Sequence, residues 1–321
     1  MPIKRIGVLT AGGDAPGMNA AIRSVVRCAI SRKLEVAGIF RGWWGLINEE
    51  LKPLDHRSVS GIINQGGTIL KTMRCHEFKT DEGQARAYQT LKKNSLDALA
   101  VIGGDGSFRA CREFSAKYDI SCVGIPASID NDINGIDTTI GADTAINTAL
   151  YAIDNIRDTA TSMERIFVVE VMGRESGFIA LQVALAGGCE EVLIPERKFD
   201  LHNICHSIVE GNMRGKISWI IVTAEGAAKA QDIAEKITEM TSLETRAIAL
   251  GHIQRGGRPT AFSRALALCL GEAAVECLLE GRTNKVVGMK DGKITELDLE
   301  FAIKKKELDV DRFCNLIRVL T

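Results

Sequence analysis

The sequence predicts an α/β protein built from doubly wound layers with mainly parallel sheets. Short apolar runs rich in Val and Ile alternate with longer amphipathic runs from the first residues onward. Such short runs are typical of strands buried on both faces, and such long ones of the helices that cover them. The joints between them are short and rich in glycine, as in alternating β and α units. A chain of 321 residues is also long enough for two lobes of ordinary size.

The individual elements follow in order along the chain. We expect eight strands, at Arg5–Leu9, Val36–Phe40, Ala98–Ile102, Cys122–Ile125, Ile166–Val171, Val192–Ile194, Trp219–Thr223 and Ala247–Leu250. The amphipathic runs predict helices near Met18–Ser31, Gly83–Lys93, Phe108–Lys117, Thr139–Asp158, Gly177–Ala186, Leu201–Asn212, Ala227–Met240 and Ala261–Glu280. Since no linker composition marks a domain boundary, the best break is the polar, glycine-containing stretch around Thr138–Asp143.

Composition narrows the functional classes. Apolar residues make up 45% and charged residues 25% of the chain, which is an ordinary globular mixture. The formal net charge of −1 gives no overall field that would attract nucleic acid or an anionic membrane. No signal-peptide pattern or long apolar span is evident, and the nine cysteines lack CxxC spacing. We therefore expect a soluble cytoplasmic protein that binds neither nucleic acid nor membrane.

The first candidate binding segment is Thr10–Asn19, which follows the first strand and opens a helix. Its glycines permit close approach of the backbone to an anion, and the helix N-terminus offers N–H donors. The spacing fits neither G-x-G-x-x-G nor the P-loop. Taken alone, the segment is also compatible with a tight βα turn.

The second segment, Gly103–Ser107, follows the strand Ala98–Ile102. Its glycines again suit a phosphate cradle, and Asp105 is placed where a carboxylate would hold Mg²⁺ against phosphate oxygens. In parallel sheets ligands bind beyond the carboxyl ends of the strands, which is where both segments fall. A second loop of this kind weakens the explanation by tight turns alone.

The third segment, Pro126–Asp132, carries two carboxylates two residues apart after the strand Cys122–Ile125. Such a pair can divide its work, one carboxylate acting as base and the other at a metal or as an orienter. On the segment alone, a structural turn rich in Asp and Asn is an equal alternative.

Together these segments resemble the bacterial ATP-dependent 6-phosphofructokinases (the phosphofructokinase A family). The family's GGDAPGMN stands at Gly12–Asn19, its GGDGS at Gly103–Ser107, its VMGR at Val171–Arg174 and its GHIQRGG at Gly251–Gly257. Its PGTIDND stands at Pro126–Asp132 with two changes. The five motifs occur in the family's order and spacing, and the match runs from residue 4 to beyond residue 290.

The resemblance implies two three-layer lobes that face each other across a cleft. Residues 1–141 with 254–304 would form the nucleotide-binding lobe, and residues 142–253 with 305–321 the fructose 6-phosphate-binding lobe. It also implies a glycolytic kinase that transfers the γ-phosphoryl group of ATP to the C1 hydroxyl of fructose 6-phosphate with Mg²⁺, and a homo-oligomer, in the family a tetramer.

The resemblance also implies residue roles. Asp130 matches the catalytic base and Asp105 the magnesium ligand. The implied catalytic set is Asp130, Asp132, Arg74, Arg174 and Ser128. The positions that match ATP contacts are Gly12, Trp43, Arg74, Cys75, Gly104, Asp105, Gly106 and Ser107. Those that match fructose 6-phosphate contacts are Ser128, Ile129, Asp130, Arg165, Met172, Gly173, Arg174, Glu225, Arg246, His252 and Arg255. Of these, Arg165 and Arg246 would reach the 6-phosphate bound by a neighbouring subunit, where arginine's planar fork suits phosphate oxygens.

The sequence departs from the family pattern mainly on the donor side. Ala127 and Ser128 replace Gly-Thr, Lys71 stands where many members have a small residue, and Ala110 replaces a glycine. Pyrophosphate-dependent relatives carry Asp at the position of Gly106 and Lys at that of Ala127. Since neither is present, ATP is the favoured donor and pyrophosphate the alternative. A catalytically silent regulatory subunit is an alternative of another class, disfavoured because the catalytic residues are present.

An effector site for ADP or phosphoenolpyruvate is matched in part. His56 replaces an arginine of the family's site and Ile217 a lysine, so anionic effectors should bind more weakly. The matching positions are Arg23, Arg27, Arg157, Gly188, Glu190, Arg214 and Lys216.

Overall fold

The computed structural model describes residues 3–320. The chain forms two compact units. The first runs up to Thr144 and continues over Arg255–Lys306, and the second comprises Ala145–Gln254 and the segment that begins at Glu307.

The described residues form twelve strands and eleven α-helices. The strands are β1 Arg5–Ala11, β2 Glu35–Ile39, β3 Leu51–Leu54, β4 Ala98–Gly103, β5 Ser121–Ser128, β6 Ile140–Gly141, β7 Ile166–Val171, β8 Glu191–Leu193, β9 Trp219–Ala224, β10 Thr245–Ala249, β11 Lys285–Lys290 and β12 Lys293–Asp298. The helices are α1 Met18–Ser31, α2 Trp43–Ile47, α3 Asp81–Lys93, α4 Asp105–Tyr118, α5 Ala142–Met163, α6 Phe178–Ala186, α7 Leu201–Met213, α8 Ala230–Thr241, α9 Ala261–Leu279, α10 Leu299–Ala302 and α11 Val310–Leu320.

The sheet of the first unit has the order β12-β11-β5-β4-β1-β2-β3, with β6 paired to the end of β5. The strands from β11 to β2 are parallel, and β12 and β3 are antiparallel edge strands. The central strands β1 and β4 are buried almost throughout, which explains their continuous apolar sequences.

Helices cover this sheet on both faces. Helices α1 and α9 pack against each other and against β4. A separate apolar cluster joins the sheet to α3, α4 and α10, with Trp43, Phe78 and Phe114 in mutual contact. The unit is thus a three-layer α/β structure.

The sheet of the second unit has four parallel strands in the order β10-β7-β9-β8. Helices α7 and α8 supply one apolar cluster against it, while α6 packs on β9 and α11 packs on α6 and β8. The predicted fold class, α/β with mainly parallel sheets, is confirmed. Among residues 3–320, no helix has the length and apolar character needed to cross a bilayer.

Candidate active site

Three loops of the first unit leave its sheet side by side. The register pairs Ala11 at the end of β1 with Gly103 at the end of β4, and Gly103 with Pro126 on β5. Because these strands are parallel neighbours, the segments that follow them lie at one edge of the sheet. The structure therefore brings together the two glycine loops and the loop that holds Asp130 and Asp132.

The loop after β1 is fastened to the segment that carries Arg74. The hydroxyl of Thr72 donates to the carbonyl oxygen of Gly12 at 2.7 Å, and the hydroxyl of Thr10 donates to that of Lys71 at 2.8 Å. Arg74 itself is exposed and Cys75 is half-buried, which raises the pKa of its thiol. These bonds keep two of the predicted nucleotide contacts beside the first glycine loop.

The loop after β4 begins helix α4. Asp105 is the first residue of α4, and its carboxylate accepts a hydrogen bond from Arg109 Nε at 2.9 Å, one turn later. Ser107 is buried under the loop. Since a helix N-terminus presents N–H groups and a positive dipole, this loop is suited to phosphate oxygens.

The glycines of this loop differ in why they are needed. A Cβ on Gly103 would lie 2.5 Å from the carbonyl oxygen of Ala11, so packing alone requires glycine there. A Cβ on Gly104 would meet only ordinary contacts, and one on Gly106 would meet nothing within 4 Å. Neither of these two has a positive φ. The protein's own packing thus leaves open space at Gly106, in agreement with a loop that receives a bulky ligand.

The loop after β5 places its polar groups around Ser128. The hydroxyl of Ser128 accepts a hydrogen bond from the N–H of Asp130 at 3.3 Å. Burial raises the pKa of Asp132, and the charge of nearby Asp105 acts in the same direction, whereas a hydrogen bond from Ser128 opposes both. Asn131 has a φ of 49° and is fixed by its Nδ2, which donates to the carbonyl oxygen of Asp137 at 3.0 Å. Ile129 is fully buried and anchors the loop.

The carboxylates of this edge fit a divalent metal ion. Oδ1 of Asp132 is shielded from solvent and has no hydrogen-bond partner among residues 3–320. Asp105 is close enough to raise the pKa of Asp132 by charge repulsion. Asp105 and Asp132 thus offer two carboxylates, and Mg²⁺ in kinases takes one or two carboxylates and completes its shell with phosphates and water.

Trp43 lies deeper than its predicted role suggests. Its ring is 5% exposed and stacks on Phe78 with ring centroids 4.3 Å apart. Its Nε1 is buried without a hydrogen-bond partner in the described chain. A contact between Trp43 and a nucleotide stays a prediction.

Arg255 crosses the first glycine loop. Its Nη1 donates to the carbonyl oxygen of Asp14 at 3.3 Å, and a Cβ on Gly13 would lie 2.5 Å from the same nitrogen. Glycine at position 13 therefore makes room for the guanidinium. Two predicted sugar-phosphate contacts follow β10, and of these His252 belongs to the second unit and Arg255 to the first.

The second unit repeats the arrangement with different residues. Val171 at the end of β7 pairs with Ala224 at the end of β9, and β10 pairs with β7 on its other side. The residues that follow these three strands include Gly173, Arg174, Glu225 and His252. Gly173 has a φ of 135°, and its carbonyl oxygen accepts from the N–H of Gly226 at 3.1 Å. Met172 is buried, whereas Arg174 and His252 are exposed. Five of the predicted acceptor residues, Met172, Gly173, Arg174, Glu225 and His252, thus follow the carboxyl ends of strands of the second sheet.

Glu244 joins the two arginines that were predicted to serve a neighbouring subunit. Its Oε2 accepts from Arg165 Nε at 2.9 Å, and its Oε1 accepts from Arg246 Nη2. Arg165 lies just before β7 and Arg246 within the adjacent strand β10. The pairing holds both guanidinium groups on one surface of the second unit.

The predicted effector residues form separate groups in the two units. In the first, Arg23 Nη1 donates to the carbonyl oxygen of Val59 at 2.7 Å, and Arg27 is exposed on the same helix. In the second, the buried Glu190 accepts from the N–H of Ile220 at 2.7 Å and pairs with Lys216 at 3.2 Å. Two further predicted members of this unit bond to other partners: Arg157 donates to the carbonyl oxygens of Gly187 and Gly188, and Arg214 faces Glu210 at 3.8 Å.

Three residues that contact the carboxylate loops were not predicted from the sequence. Arg109 pairs with Asp105, Asn131 closes its own loop, and Lys306 donates to the carbonyl oxygen of Ile136 at 2.7 Å. The spacing of four residues between Asp105 and Arg109 on a helix was a usable signal. No sequence signal connects Lys306 to a loop 170 residues earlier.

Comparisons with known proteins show which family the chain is similar to. Residues 5–278 match the family model described as phosphofructokinase. The chain is 51% identical over 301 residues to an ATP-dependent 6-phosphofructokinase of Clostridium acetobutylicum, which covers 94% of each chain. It is 51% identical over 310 residues to ATP-dependent 6-phosphofructokinase 1 of Clostridium perfringens, covering 97% of this chain and 95% of that one.

A solved structure of phosphofructokinase from Saccharomyces cerevisiae superposes with a TM-score of 0.88 at 35% identity. The match covers 94% of this chain and 45% of the yeast chain, so this chain spans less than half the length of that relative. The family match and the identities together place the protein: the chain belongs to the phosphofructokinase family.

Proposed function

We propose that this protein is an ATP-dependent 6-phosphofructokinase, which transfers the γ-phosphoryl group of ATP to the C1 hydroxyl of fructose 6-phosphate. The observation that carries the proposal is the register of β1, β4 and β5, which sets Gly12, Asp105 and Asp130 after the ends of three adjacent strands. A phosphate cradle, a metal-binding carboxylate and a candidate base are thereby combined at one edge. The names of the relatives in both Clostridium species support the same reaction.

The donor assignment is supported by the space at Gly106. A nucleoside triphosphate needs room beside the helix N-terminus, and apart from its chain neighbours and the adjacent backbone of α4, no atom of residues 3–320 lies within 4 Å of a Cβ built there. Ala127 is buried in β5 and contributes no charge. We assign to the ATP site Gly12, Trp43, Arg74, Cys75, Gly104, Asp105, Gly106 and Ser107.

Mg²⁺ would be held by Asp105, with the unpartnered Oδ1 of Asp132 as a further ligand or an acceptor for a metal-bound water. The ion supplies charge neutralisation between donor phosphates, the main electrostatic need of phosphoryl transfer. Both carboxylates occur in loops that follow buried strands, so their positions are set by the sheet. Arg109 would be free to leave Asp105 because an exposed pair of this kind is weak.

The remaining chemistry belongs to side chains. Asp130 would accept the C1 hydroxyl proton as the new bond forms, a task often worth about 10² to 10⁴ in rate. Ser128 bonds the Asp130 N–H and so orients the base in its loop. Arg74 and Arg174 would offset the charge on the transferred phosphoryl oxygens, since a guanidinium binds such oxygens in pairs. These roles require positioning more than covalent chemistry.

We assign the acceptor site to the edge of the second sheet, with Met172, Gly173, Arg174, Glu225 and His252, together with Arg255. Arg165 and Arg246 would bind the 6-phosphate held by a neighbouring subunit, which makes a homotetramer the proposed assembly. Their joint pairing with Glu244 supports a shared role, because it holds both guanidinium groups on one surface.

We also propose that regulation by ADP or phosphoenolpyruvate is weak. Glu190 is already paired with Lys216 inside the unit, and His56 and Ile217 stand where the family has cations. A cytoplasmic location is proposed on the nine cysteines, none of which forms a disulfide in the structure.

The test is production of fructose 1,6-bisphosphate from fructose 6-phosphate and Mg²⁺, with ATP and pyrophosphate supplied in parallel. We expect turnover with ATP and none with pyrophosphate. Turnover with pyrophosphate alone would keep the acceptor and overturn the donor assignment. No turnover with either donor would favour the silent regulatory subunit.

A further inference from the structure

The segment Phe301–Lys306, here called the strap, runs along the loop that follows Asp132. The N–H of Asn134 donates to the carbonyl oxygen of Ala302 at 3.1 Å, and its Nδ2 donates to that of Phe301 at 3.2 Å. Ile133 and Lys305 form an isolated antiparallel bridge. The loop that carries the proposed catalytic base is therefore held by a segment from the far end of the chain.

Lys306 ends the strap with a partly buried ammonium group. Its Nζ donates to the carbonyl oxygen of Ile136 at 2.7 Å and lies 3.4 Å from that of Asp137, which also accepts from Asn131. Burial lowers the pKa of Lys306 to about 8, while the charges of Asp137 and Asp132 oppose that shift. A cation kept in such a place needs compensating acceptors and negative charge, and this loop supplies both.

A second cation links the strap to the other carboxylate. Arg109 pairs with Asp105 through Nε, and its Nη2 donates to the carbonyl oxygen of Ile303 at 2.7 Å. Arg109, on α4, and Lys306, in the strap, thus connect the strap to Asp105 and to the loop that follows Asp132.

We propose that Lys306 is a positioning residue for phosphoryl transfer, which fastens the loop of Asp130 and Asp132 to the strap. The inference rests on the proposed function for the role of the loop, but the contacts of Lys306 stand apart from it. It assigns the ammonium two measurable effects. The first is on turnover, through the geometry of the base, and the second is on the local stability of residues 130–137, through the bonds to the carbonyl oxygens of Ile136 and Asp137.

The experiment compares Lys306→Met with Lys306→Arg, and uses Lys305→Met as the matched control, since Lys305 is an exposed neighbour in the same strap. We expect Lys306→Met to lower kcat about 10- to 100-fold, as a small misplacement of the base would, with much smaller changes in both KM values. Lys306→Arg should recover most of kcat because it keeps the charge and the donors. Lys305→Met should behave as the unaltered enzyme.

The second measurement is backbone hydrogen exchange in residues 130–137 of the nucleotide-free protein. Lys306→Met should raise exchange in this segment relative to the unaltered enzyme, because the bonds to Ile136 and Asp137 are lost, whereas Lys305→Met should not. A role confined to overall folding would lower the thermal midpoint and leave kcat per folded molecule unchanged, with no rise in exchange specific to this segment. Thermal unfolding is measured first, and Lys306→Gln, which keeps a donor for Ile136, replaces Met if that variant is unfolded at the assay temperature.

Unchanged kcat or unchanged exchange of residues 130–137 in the neutral variant overturns the inference. Failure of the proposed function is a separate result, seen as absence of fructose 1,6-bisphosphate from the unaltered enzyme. In that case the exchange measurement still decides whether Lys306 fastens the loop.

Discussion

The carboxyl edges of the two sheets offer a comparison within one chain. The edge of the first sheet presents glycine loops and the carboxylates Asp105, Asp130 and Asp132. The edge of the second presents the cation Arg174 with Glu225 and His252. Both sheets are parallel at this edge, so the backbone architecture is alike while the side chains that follow the strands differ.

The difference follows from how each edge would bind phosphate. Carboxylates cannot bind an anion directly, so the first edge needs backbone N–H groups and a metal ion between acid and phosphate. An arginine edge binds phosphate oxygens without an intermediary. The proposed function therefore divides the sites, with a metal-bound donor in one unit and a sugar phosphate in the other.

The largest effect is expected for Asp130→Ser. Loss of the base should lower kcat about 10²- to 10⁴-fold, because the C1 hydroxyl would lose its proton acceptor. Binding of fructose 6-phosphate should survive, since phosphate recognition is assigned to the second unit. Binding is measured as the protection that fructose 6-phosphate gives against thermal unfolding. Asp119→Asn, at the exposed end of α4, serves as the control. A variant with near-normal kcat would remove Asp130 from this role.

The next effect is expected for Arg174→Met. The side chain is exposed after β7, so the change should leave stability unaltered. We expect kcat/KM for fructose 6-phosphate to fall about 10- to 100-fold, because charged hydrogen bonds to phosphate are lost. KM for ATP should stay nearly constant. If KM for ATP rose instead, the division between the two edges would be wrong; Lys198→Met, another exposed cation of the same unit, is the control.

Much of the fold was predictable because the deciding signals are local. Helix α1 and strand β7 have the predicted bounds, since an amphipathic run and a Val-rich run fix them. Helix α5 begins at Ala142 rather than at the predicted Thr139, because Ile140–Gly141 pairs with β5 and Gly141 has a φ of 101°. Local pattern could not reveal that pairing.

The hairpin β11–β12 was not predicted, although the pair Asp291–Gly292 at its turn is a sequence signal for a hairpin. Both residues have positive φ, as the tight turns of hairpins require. β12 is polar and largely exposed, so it lacks the apolar run by which the other strands were predicted. At the site, the glycine loops could be predicted because each is a contiguous segment. The contact of Lys306 with Ile136 arises only from tertiary folding.

A smaller effect separates two glycines of one loop. Gly103→Ala should destabilise the fold by about 1–3 kcal/mol, since its Cβ would lie 2.5 Å from the carbonyl oxygen of Ala11. Gly106→Ala should leave the free energy of unfolding nearly unchanged and raise KM for ATP, because its Cβ enters space that only a ligand would fill. Chemical denaturation and ATP saturation curves of both variants measure this. Equal KM for ATP in Gly106→Ala and the unaltered enzyme would contradict a donor site at this loop.

The smallest effect is expected for Glu244→Gln. The pairs that Glu244 forms with Arg165 and Arg246 are at least partly exposed, so their loss should cost at most about 1 kcal/mol of stability. With the carboxylate neutralised, both guanidinium groups should attract the 6-phosphate more strongly, and KM for fructose 6-phosphate should fall a few-fold at low salt. Screening should reduce that gain as ionic strength rises. The control is Glu210→Gln, which faces Arg214 in the same unit. A higher KM for fructose 6-phosphate at every salt concentration would mean that Glu244 orients the two guanidinium groups rather than competing with the phosphate.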